Sequence, residues 1–171
     1  MRPRGVGCRL LALAPRRPAW QAEDVAGIIL DFDPPQPDLG VFEHDTEDLV
    51  FFLSWAFSAR YGASHELSDA AGILRGELKI DLVPLLTFAD RNVEEASDAE
   101  ALELAWQDAA PLSKCCQEVA GAFEDGDQRL AQLRDEYTGL VTAIRELGDI
   151  AKVAALRGAR IRVTYLLEDA A

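Results

Sequence analysis

From Leu130 onward the apolar residues return at intervals of three and four: Leu130, Leu133, Tyr137, Leu140, Ile144, Leu147, Ala151 and Ala154. That spacing marks one face of a helix, and its regular alternation is the heptad of helices that pack along their length. It predicts one helix over residues 127–158, a rod of about 45 Å at 1.5 Å per residue. Helices inside a bundle use the same spacing, so the seam can be buried within its own chain or against a second copy. Tyr137, Ala151 and Ala154 on the seam, with Gly139 and Gly148 beside it, weaken a free-standing coiled coil.

A different pattern holds over residues 45–62. Asp45 or Thr46 can cap a helix whose first turn carries Glu47 and Asp48, opposite in sign to the helix dipole there. Leu49, Val50, Phe51, Phe52, Leu53, Trp55, Ala56 and Phe57 follow, and Gly62 suits the end. Such a helix is apolar nearly all round, so it is central in a core or buried against another chain. Three further helices are expected: residues 68–79, interrupted by Gly72 and Gly76; residues 81–89, with Pro84 in the first turn; and one opened by a Ser97–Glu100 capping box. This last helix would place Leu102, Ala105, Trp106 and Ala109 on one face before Pro111. Leu112, Cys115, Cys116, Val119 and Phe123 then share one side of the next segment.

Strand character is confined to the two ends. Residues 8–14 and 27–32 are short apolar runs, and Ile161, Val163, Tyr165 and Leu167 alternate as in a strand. Pro34, Pro35 and Pro37 stop the second run, since proline lacks a donor and restricts the residue before it. The expected fold is mainly α: a bundle-like helical body with one long heptad-patterned helix and a small sheet from the terminal segments, α+β being the alternative. Residues 1–25 read as a basic arm and residues 26–171 as a single domain.

Composition changes this picture in two respects. The chain has 171 residues, 49% of them hydrophobic, enough to bury roughly 70% of its unfolded surface without a disulfide or metal. The net charge is −13, from 17 basic and 30 acidic residues. Arg2, Arg4, Arg9, Arg16 and Arg17 all precede residue 21, a stretch without an acid, so the other 151 residues carry 12 basic and 30 acidic groups, a net of −18. A body of that charge repels phosphate backbones and anionic lipid surfaces, so nucleic-acid binding through it is not expected. No apolar run reaches the ~18–20 residues that span a bilayer. Residues 10–14 are too short for a signal-peptide core, and Pro15-Arg16-Arg17-Pro18 stands where small cleavage-site residues belong. Cys8, Cys115 and Cys116 make a poor disulfide framework, which fits a reducing cytoplasm. Arginine in preference to lysine, with abundant alanine, is the composition of a GC-rich bacterial genome.

The chemistry-bearing residues give weak patterns. Asp31 and Asp33 end an apolar strand as D-x-D, but prolines follow where a small hydroxylic residue would assist phosphotransfer, and a solvated turn is the better reading. His65-Glu66-Leu67-Ser68-Asp69 resembles a zinc motif with Asp69 in place of the second histidine, though Ser68-Asp69 also reads as a helix start. Glu43-His44-Asp45 offers ligands that cannot all face one ion. Cys115 and Cys116 point about 100° apart on a helix and have no local histidine as base, so they read as small core residues. Glu124-Asp125-Gly126-Asp127 lacks the spaced oxygens of a calcium loop and reads as a turn whose Asp127 caps the next helix.

The function expected from the sequence is therefore non-enzymatic: a helical accessory or assembly subunit that binds another protein or its own copy, with no cofactor. The contact residues would be Leu49, Phe52, Leu53, Trp55 and Phe57 on the apolar helix, and Leu133, Tyr137, Leu140, Ile144 and Leu147 on the heptad seam. Two alternatives stand beside it. One is a small metal- or thiol-dependent enzyme using His44, His65 and Cys115 or Cys116; the other is an acidic decoy of a DNA-binding protein.

Overall fold

The computed structural model describes residues 25–168; the expected strand at residues 8–14 and the basic arm lie outside them. The fold is α+β, with a four-stranded mixed sheet packed against helices.

The two terminal strands pair with each other. β1 (Val25–Asp33) runs antiparallel to β4 (Arg160–Glu168), in register from Val25 opposite Glu168 to Asp33 opposite Arg160. The period of two sorts their side chains. Ile28, Leu30 and Phe32 face the helices opposite Tyr165, Val163 and Ile161, while Asp31 and Asp33 face away opposite Arg162 and Arg160. Two three-residue strands add to the other edge of β4: β2 (Phe88–Asp90), parallel, and β3 (Trp106–Asp108), antiparallel.

Three helices make the body of the core. α1 (Glu47–Ser58) buries Leu49, Phe52 and Ala56 completely, and Phe52 meets the ring of Phe123 edge to face with centroids 6.0 Å apart. A side chain of this size contributes about 2–3 kcal/mol when fully buried. The helix that is apolar nearly all round is thus central to its own chain. Phe123 belongs to α4 (Ala109–Glu124), which packs along α6 (Leu140–Leu156). Gly148 sets their approach: a Cβ there would stand 2.9 Å from that of Cys116, and the Ser113 hydroxyl donates to the Gly148 carbonyl at 2.9 Å.

The single helix expected over residues 127–158 is two. α5 (Gln128–Glu136) ends where Tyr137 leaves helical geometry (φ −99°, ψ 76°), and α6 begins at Leu140. Two bonds to remote helices hold the break: the Tyr137 hydroxyl donates to Glu66 on α2 (Glu66–Gly72) and the Gly139 amide donates to Asp48 on α1. The buried seam nevertheless survives it. Leu130, Leu133, Tyr137, Leu140, Ile144, Leu147, Ala151 and Ala154 are all buried.

Three other expectations change. The helix expected at residues 68–79 is α2 followed by a π-helical turn, Ile73–Glu77, and Lys79 stands at φ 56°. In place of the helix expected over residues 81–89, residues 83–86 form a turn that leads into β2. α3 (Ala96–Leu104) stops short of Trp106, which β4 recruits into β3. Its start is held by Asp98, whose carboxylate accepts the amides of Glu94 and Glu95, in place of a Ser97–Glu100 box. No residue of α3 is buried.

Candidate functional site

Four aromatic rings gather where α1 ends beside the sheet. The last turn of α1 presents Phe57, and a 3-10 turn, Ala59–Tyr61, presents Arg60 and Tyr61 before Gly62 reverses the chain at φ 79°. That backbone conformation favours glycine because it has no Cβ. Phe88 comes from β2 and Tyr165 from β4. Ring centroids stand 6.0 Å apart for Phe57 and Tyr61, 5.8 Å for Phe57 and Phe88, and 5.9 Å for Phe88 and Tyr165. The guanidinium of Arg60 lies 5.2 Å from the Phe57 centroid.

The cluster runs from core to solvent. Phe88 packs against the hydrophobic core, whereas Phe57 is 36% exposed and Tyr61 78% exposed. Burial, reinforced by Asp90, pushes the Tyr165 phenol above its ordinary value, so it remains neutral. Trp55, two residues earlier on α1, is occupied differently: its ring stacks on His65, 4.3 Å between centroids and 3° between planes. Desolvation lowers the pKa of His65 against the pull of Glu66 and Asp69. Its Nδ1 accepts the Leu67 amide at 3.1 Å and so caps α2.

Most residues expected to form a contact surface lie in the core of this chain. Leu49, Phe52, Leu53, Leu133, Tyr137, Leu140, Ile144 and Leu147 are each at most 7% exposed. Of the ten, Trp55 and Phe57 reach the surface. The sequence places Tyr61 and Phe88 in expected helices and Tyr165 in a strand; a 3-10 turn, β2 and β4 bring them to Phe57.

The ionisable candidates are dispersed. His44 pairs with Glu146 on α6, His65 stacks on Trp55, and Asp69 is exposed on α2. Cys115 and Cys116 are free thiols buried between helices; desolvation pushes Cys115 up to about 11 and raises Cys116 further. Among the described residues no group of three or more His, Cys, Asp or Glu is placed to hold a metal ion. Asp31 lies between two guanidiniums, 2.7 Å from Arg91 and 3.0 Å from Arg162, and Asp33 pairs with Arg160 at 2.7 Å. Glu124 pairs with Arg145, and Asp127 caps α5 as its position after Gly126 implies. Among the described residues no helix is long and apolar enough to cross a membrane. Comparison with protein-family models, curated proteins and solved structures finds no match.

Proposed function

We propose that this chain is a non-enzymatic interaction protein that meets another protein, or its own copy, through the aromatic end of the fold. The observation that carries this reading is the exposed continuation of a core aromatic cluster onto Phe57 and Tyr61. Tyrosine and arginine are enriched at the energetic centres of interfaces, where a ring supplies apolar area at low entropic cost and keeps a polar tip. The chain spends Tyr61 and Arg60 on that end while most large apolar residues of α1 are buried. The finer expectation of an accessory or assembly subunit belongs to the same reading.

The test is light scattering coupled to size exclusion on the native protein and on Tyr61→Asp. A dimer mass that falls to monomer in the variant identifies a second copy as the partner. A monomer that brings a stoichiometric protein with it, lost in the variant, identifies another chain. A lone monomer, or a complex indifferent to Tyr61→Asp, sinks the reading.

A further inference from the structure

A second surface lies along the exposed side of α4. Two depressions, with cavity volumes of about 420 Å³ and about 480 Å³, adjoin at Glu118 and follow one another as a groove along α4, beside residues of the segment 78–84. Its walls carry exposed apolar groups: Leu78 is 43% exposed and Pro111 stands open at the N-terminal end of α4, while Ala122 lines the other end. From Ala110 to Asp125 the groove follows about 22 Å of helix at 1.5 Å per residue. An extended chain covers that distance in about seven residues.

The charges along the groove choose the occupant. Asp81, Glu118, Asp125 and Asp127 line it against Lys79 and Lys114. Two of these acids are already engaged: Glu118 lies 3.9 Å from Lys114, and Asp127 is held by Arg129. Asp81 and Asp125 form no ion pair among the described residues, although Asp125 feels the charge of Arg145, and they line different depressions of the groove. Small residues along the floor admit side chains, and a net of −18 over residues 21–171 disfavours a second copy of this body.

We infer that the α4 groove receives an extended segment of a partner protein in which arginine or lysine alternates with apolar residues. The apolar side chains would rest between Leu78 and the small residues of α4, and the cations would meet Asp81 and Asp125. Apolar contact supplies affinity here, while complementary charge sets orientation and encounter rate. This surface is separate from the aromatic end and does not depend on it.

A fluorescein-labelled ten-residue peptide of alternating arginine and leucine is the probe, titrated against the full chain. Amide shifts should localise to residues 78–81 and to the exposed side of α4. Asp81→Asn with Asp125→Asn should weaken binding at least tenfold, because asparagine keeps the local hydrogen bonds and removes only the charge. Glu100→Gln with Glu103→Gln on α3, and Tyr61→Asp, should each change it less than twofold. Replacing the peptide leucines by serine should abolish binding. Shifts spread over the whole acidic surface, equal binding of the serine peptide, indifference to the Asp81 and Asp125 changes, or no binding at all would each overturn the proposal.

Discussion

The hydroxyl of Tyr137 donates to the carboxylate of Glu66 at 2.8 Å, across 71 residues of sequence, at the point where the last helical stretch breaks in two. Tyr137 is 5% exposed, and its phenol is raised first by burial and then by the bond to Glu66. The bond ties the α5–α6 turn to the start of α2. Tyr137→Phe keeps the ring and removes the donor, so it should cost about 1 kcal/mol, the usual net worth of one such bond. Urea unfolding measures this, and an unchanged midpoint would show that the bond contributes nothing. The break itself should persist in the variant, because the Gly139 amide still donates to Asp48 at 2.9 Å.

Glu136 precedes that tyrosine and gives the turn a pH dependence. Its carboxyl lies above the ordinary glutamate range, first because protein displaces solvent around it and then because Glu66 opposes its charge and shares a hydrogen bond with the protonated form. An acid whose pKa is raised by folding stabilises the fold fully below its unfolded value, about 4.3, and loses that contribution as pH rises through the folded value. Glu136→Gln imitates the protonated state and should not lose it. The variant should therefore unfold at higher urea than the native chain at pH 7, and the gap should close toward pH 4. A gap that is constant or widens with acid contradicts the assignment.

The groups at this turn also show what the sequence can and cannot display. A heptad reports which side of a helix is buried, and every seam residue from Leu130 to Ala154 is indeed inside. It does not report continuity, because the break depends on Glu66 and Asp48, 71 and 91 residues away from their partners. Strand period was readable in Ile161, Val163 and Tyr165, where charged or polar residues alternate with apolar ones over the first six residues of a nine-residue strand. It was not readable in β2 or β3, since three residues carry no period and exist as strands only by pairing with β4. Trp106 fitted a helical face with Leu102 and Ala105 for the same reason. At the aromatic end, Phe57 stood out within an apolar run. Tyr61, four residues on, is within helical reach of Phe57, but Phe88 and Tyr165 join the pair only in the fold, and spacing along the chain could not group them.

Glycines inside helices give the sharpest contrast between local propensity and packing. Glycine costs a helix interior roughly 0.5–1 kcal/mol relative to alanine. Gly72 has ordinary helical geometry (φ −61°, ψ −43°), and a Cβ built there meets nothing within 4 Å. Gly72→Ala should therefore stabilise the protein by about 0.5–1 kcal/mol, partly by restricting the unfolded chain. Gly148 stands on α6 where α4 crosses it, and a Cβ there would lie 2.9 Å from the Cβ of Cys116 and 3.7 Å from the Ser113 carbonyl. The near atom is rooted on a backbone and cannot swing aside, so α4 and α6 would have to separate. Overpacking of this kind costs about 1–3 kcal/mol and outweighs the propensity gain. Separation would also lengthen the bond from the Ser113 hydroxyl to the Gly148 carbonyl. Thermal unfolding of the two variants should move in opposite directions, Gly72→Ala up and Gly148→Ala down. If Gly148→Ala were neutral, α4 and α6 would not be in the close contact that sets the centre of this core.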